Sequence, residues 1–117
     1  MASRENNVDL TVIAFKVAAI LDAYQLHIER LAADWRNLSL YRIVAAQIDE
    51  LRSLLGALPQ LAVDMVEIIV GHAQLLRVLQ SQERRSDVSQ LQVRQTDAVT
   101  SLYRKIVRLL CQPAGSR

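Results

Sequence analysis

Two histidines, one cysteine and twelve carboxylates are what this chain of 117 residues offers to metal binding or nucleophilic chemistry. A carboxylate-bridged metal site inside a helical bundle needs an inward Glu and Glu-x-x-His pairs, because residues three or four apart share a helix face. Glu29 follows His27 by two positions and Glu67 precedes His72 by five, so neither pair shares a face. The sequence holds no His-Glu-x-x-His, Cys-x-x-Cys, glycine-rich phosphate loop or Gly-x-Ser-x-Gly.

His27 and His72 therefore read as core or boundary histidines, each satisfied by one hydrogen-bond partner. Leu26-His27-Ile28-Glu29-Arg30 matches no phosphotransfer motif. Cys111 reads as a small hydrophobe, with Arg104 and Arg108 only a weak argument for a lowered thiol pKa. As the single cysteine it allows no intrachain disulfide, and an oxidising compartment gains no support. No catalytic, cofactor-binding or metal-ligating residue is expected, and the chain reads as non-enzymatic.

Gln95 interrupts an apolar stripe. Such a residue either fixes helix register and partner choice or reaches out at the edge. Tyr24, Tyr41 and Tyr103 are expected half-buried with wet hydroxyls.

Charge adds one further candidate. Residues 1–76 hold six Arg or Lys and nine Asp or Glu, whereas residues 77–117 hold eight against three. Arg77, Arg84, Arg85, Arg94, Arg104, Lys105 and Arg108 form a candidate basic patch. They straddle a loop and several sides of a helix, with no helix-turn-helix signature and no aromatic residues interleaved for base stacking. Nucleic acid is thus a weak expectation, and a solvated arginine-rich face the plainer one.

Such side chains need elements to hold them, and the composition points to helices. Half of the residues are apolar but only five are aromatic, and there are three glycines and two prolines, too few for a turn-rich β protein. Apolar residues recur in steps of three and four along four segments, predicting helices at 8–36, 40–55, 59–80 and 87–112. Short connections imply an all-α, antiparallel up-down-up-down four-helix bundle, a single domain over 1–117 with flexible tails at 1–7 and 113–117.

Asn7 or Asp9 suits the first cap, Asn37 a helix end, and Ser39 the next cap. Gly56 and Pro59 punctuate a turn, the rival being one long helix kinked at Pro59. Ser81 to Asp87 is the one properly polar connection, with Asp87 as a cap. The polar N-terminus is a poor signal peptide, and no stretch approaches the ~20 uncharged residues of a membrane span. A soluble, cytoplasmic protein is expected.

The third segment is the most apolar. Gln60, Asp64, Glu67, Gly71 and Gln74 fall on one narrow stripe, and the rest from Leu61 to Leu76 is apolar except His72. This predicts a central helix with Ile69 in the middle of its apolar arc. Leu61, Ile68, Leu75 and Leu79 lie beside that arc as a candidate self-association seam.

The function expected is an interaction or assembly module, homodimeric, with a second protein partner as a further option. The alternative is a sensor or carrier whose Ala14, Ala18, Ala45, Ala62, Ala73 and Ala98 leave a cavity for a small apolar ligand. No cofactor is implied.

Overall fold

The computed structural model describes the backbone of residues 2–81 and 85–111, and the side chains of 10–81 and 87–111. The described residues are helical with no strand. Four helices, α1 (Ala2–Ala33), α2 (Leu38–Ser53), α3 (Ala62–Ser81) and α4 (Arg85–Cys111), pack as a bundle. It measures 53 × 23 × 19 Å, its long axis close to the ~48 Å of a 32-residue helix. α1 packs on α2 and α4, and α3 on α4 and α2.

Local chemistry fixes the breaks. Asp34 N–H still bonds the carbonyls of Arg30 and Leu31, which closes α1 before Trp35 and shortens the expected helix. Asn37 does not end α1 in a left-handed turn. It takes an extended conformation (φ −79°, ψ 99°), and its side-chain oxygen accepts from Leu40 N–H at 3.2 Å, capping α2 in place of Ser39. Such a cap contributes about 1 kcal/mol.

At the other end of α2 the chain makes two short 3-10 turns, Leu55–Ala57 and Pro59–Leu61, before α3 begins. Pro59 stands at the start of the second turn, and a single kinked helix is excluded. The connection is apolar because it is part of the core: Leu58 and Leu61 are buried.

α1 starts at Ala2, ahead of Asn7 and Asp9, so the expected tail at 1–7 is helical over its described residues. α4 starts at Arg85, which puts Asp87 in its first turn, where a carboxylate suits the positive helix end. Of the expected polar loop, Ser81 ends α3 and 85–87 open α4, while 82–84 and the C-terminal tail lie outside the described residues.

The core draws on all four helices. Val17, Leu21, Ile28 and Leu31 of α1, Val44, Ile48 and Leu51 of α2, and Val99, Leu102 and Ile106 of α4 are buried, as their spacing predicts. α3 supplies Met65, Ile68, Leu75 and Leu79.

The seam reading is thereby corrected. Leu61, Ile68, Leu75 and Leu79 are 4, 0, 0 and 5% exposed within one chain and have no surface to offer a partner. Ile69, expected at the middle of the arc, is only half-buried. The inward face is rotated toward Ile68 and His72, and the outward face carries Val63, Val66 and Val70 besides Glu67 and Gln74. α3 is a side of the bundle, not its centre.

Leu10–Ala33 of α1 is, by length and composition alone, apolar enough to cross a membrane, contrary to the expectation that no stretch qualifies. In the bundle its Val17, Leu21, Tyr24, Ile28 and Leu31 are covered by the protein's own chain.

Candidate functional site

Three helices meet at one buried polar cluster. Tyr24 of α1 is buried, and its hydroxyl lies 2.9 Å from Nδ1 of His72 on α3. Gln95 of α4 donates from Nε2 to that hydroxyl at 2.9 Å and to the Ile68 carbonyl at 2.8 Å. The hydroxyl can donate to His72 Nδ1 or accept from it, according to which ring nitrogen carries the proton. The two rings meet edge-on, with centroids 5.6 Å apart.

Burial holds the His72 pKa down at about 4; Arg52 lowers it further and Asp49 raises it. Burial also pushes the Tyr24 hydroxyl above its ordinary value, although the Gln95 bond pulls the other way. At neutral pH the cluster is uncharged. It ties α1, α3 and α4 in one register, so of the two readings of Gln95 the structure selects register over an edge position. Tyr24 is wholly inside, not half-buried with a wet hydroxyl.

Gly71 makes the tie possible. A Cβ at this position would overlap the Gln95 side-chain oxygen and lie 3.2 Å from its Cδ. Glycine inside a helix costs about 1 kcal/mol against alanine. The two hydrogen bonds it admits contribute about 1 kcal/mol each.

The same two residues floor a groove between α3 and α4 of about 580 Å³. Val63, Val66 and Val70 stand on its α3 side, and Leu91 and Ala98 on its α4 side; Glu67 lines it from α3 and Arg94 from α4. A smaller hollow of about 280 Å³ shares Leu91 and Arg94 and continues to Val78 and Asp87. Val63, Val66 and Val70 are 74, 44 and 50% exposed. Single exposed valines are ordinary, but three at steps of three and four beside a groove make a stripe.

The other expected site residues do not gather. Lys105 is bound to Asp64 through both carboxylate oxygens, at 2.9 and 3.1 Å, which ties α4 to α3. Arg94 is eleven residues away along α4, about 16 Å, in the groove wall. Arg77, Arg104 and Arg108 are exposed, Arg84 lies outside the described residues, and nothing is described of the Arg85 side chain. Arg104, Lys105 and Arg108 thus fall within about one turn of α4, whereas Arg94 stands about three turns away.

His27 is half-buried with Nδ1 2.9 Å from Gln47 Nε2, a tie between α1 and α2. Cys111 is exposed at the end of α4 and is not the packed hydrophobe expected. Of the alanines, Ala14 is buried, Ala45 and Ala73 are exposed, and Ala62 and Ala98 line the groove, so they do not enclose a common cavity. Among the described residues no three His, Cys, Asp or Glu side chains come together as metal ligands.

Two signals went unused in the sequence. A glycine in mid-helix, here Gly71, marks a close approach. Val63, Val66 and Val70 repeat at helical spacing as a second stripe beside the one that fills the core. Comparison with protein-family models, curated proteins and solved structures gives no match to this chain.

Proposed function

We propose that this protein is a non-enzymatic assembly module that forms homodimers through the α3–α4 groove. The observation that carries the reading is the exposed line Val63, Val66 and Val70, which forms the α3 side of an open groove lined by both apolar and polar side chains. Ridge and groove are neighbours on one face, and a two-fold axis lets each copy place its ridge in the groove of the other.

The bundle beneath is up-down-up-down with antiparallel neighbours. Supporting this, positions paired between α3 and α4 run in opposite order: Asp64 with Lys105, Ile68 with Gln95, Val78 with Asp87. The protein is read as soluble, a reading supported by the core-facing side of α1 being covered by the other helices; the cytoplasm is the compartment proposed, in keeping with its single cysteine. A nucleic-acid partner gains little support, since Lys105 is already paired with Asp64 and Arg94 stands apart from Arg104 and Arg108.

The test is mass by light scattering across a concentration series, for the wild type and for Val66→Glu with Val70→Glu. A dimer is expected for the wild type. The variant should be a monomer with unchanged helical circular dichroism, because an interface glutamate is desolvated against its partner. A wild type monomeric at the highest concentration overturns the reading. The size of the groove also falls within the range of small-ligand sites, which supports the second reading, a carrier of a small apolar molecule. Such a ligand raises the melting temperature without changing the mass.

A further inference from the structure

Glu67 and Arg94 line the same groove from different helices, both exposed, with opposite charge. The charged side chains of the described ion pairs, Arg52 with Asp49 and Lys105 with Asp64, find their partners within the chain. Glu67 and Arg94 have no ion pair or hydrogen bond among the described residues.

We infer that Glu67 and Arg94 form a reciprocal ion pair across a two-fold axis, so that the occupant of the groove is recognised as a second copy of this chain. The inference rests on the self-association reading above and adds the feature that selects the partner. In a two-fold interface, if residue i meets residue j, then j also meets i. Glu67 sits on α3 next to Val66; when that ridge enters the other copy's groove, the carboxylate comes to the far wall, where Arg94 stands. The pair forms twice, once on each side of the axis. A groove with two walls of one sign would repel its own copy; a wall of each sign suits it. Charges arranged this way act on partner choice more than on raw affinity.

The experiment uses the full chain as Glu67→Arg, as Arg94→Glu, as an equal mixture of the two, and as the double variant in one chain. Sedimentation equilibrium gives the dimer Kd, and circular dichroism checks the helices. Each single variant places like charges against each other twice and should raise Kd at least tenfold. The mixture should recover a heterodimer near the wild-type Kd. There the introduced arginine of one chain faces the introduced glutamate of the other, and the two unchanged residues, Arg94 and Glu67, face each other. The double variant should recover the homodimer.

Single variants that keep the wild-type Kd overturn the inference, and so does a mixture no tighter than its components. If the Val66→Glu/Val70→Glu protein is monomeric while the charge variants stay dimeric, self-association stands and only the ion pair falls. A wild type that never dimerises removes both.

Discussion

The two sides of α3 are made of much the same material and meet opposite fates. Inward are Met65, Ile68, His72, Leu75 and Leu79, all buried. Outward are Val63, Val66 and Val70, 44 to 74% exposed. Hydrophobicity does not sort them, since a histidine is inside and three valines are outside. What sorts them is the residue opposite. His72 is inside because the Tyr24 hydroxyl, itself held by Gln95, partners its Nδ1, which lowers the cost of burying it. The valines are outside because the inner arc already fills the space between the helices. A polar side chain with a partner is a better core residue than an apolar one with no room.

The widest separation between the two sides comes from placing a charge on each. Ile68→Asp should cost about 4 kcal/mol or more in urea melts, because it buries an unpaired carboxylate. Val66→Asp, measured at a concentration where the chain is monomeric, should stay within about 0.5 kcal/mol of the wild type. Equal losses would erase the distinction between the faces.

A titration sharpens the inward side. Folded His72 has a pKa of about 4, below its ordinary 6.5, so between these values the unfolded chain binds a proton that the folded chain refuses. This stability is fully present above pH 6.5 and is lost as the pH falls toward 4, by about 3 kcal/mol in all. Denaturant melts at about pH 7 and about pH 4.5 should show most of the loss, and His72→Gln should flatten this part of the slope. A wild-type profile as flat as the variant's would place the histidine in water.

The smallest effect lies at the boundary between the two sides. Gly71→Ala gains helix propensity but displaces the Gln95 amide, for a net loss of about 1–2 kcal/mol. In a Gln95→Ala background the same change should be neutral or stabilising by up to about 1 kcal/mol. Additive losses in that double-mutant cycle would mean that the two residues do not compete for the same space.

The helices were legible because their signals are local. Apolar steps of three and four along α2 and α4 run through Val44, Ile48, Leu51, Val99, Leu102 and Ile106, which are buried. The phase of α3 was not legible. With apolar residues on most of its circumference, the pattern left several arcs equally apolar, and the polar stripe at Gln60, Asp64 and Glu67 drew attention to one edge. Only contacts from distant segments, Tyr24 and Gln95, select Ile68 and His72 as the inner line. The groove escaped for the same reason, because it belongs to the relation between α3 and α4 and not to either helix. The cap of α2 reads as Ser39 in the sequence because either it or Asn37 can cap, and backbone geometry decides between them.

The tie of Tyr24, His72 and Gln95 also sets an order of assembly. Its members come from α1, α3 and α4, with His72 and Gln95 48 and 71 residues from Tyr24 along the chain. Closing loops of that length costs entropy before any contact is gained, so these bonds form late. As the chain is synthesised, α1 and α2 can meet as neighbours while Tyr24 still lacks both partners. His72 arrives next, and the cluster stays open until α4 brings Gln95 to the Ile68 carbonyl. Docking of α4 therefore closes this cluster and shapes the α3–α4 groove in one event. The surface proposed for assembly does not exist until α4 is in place.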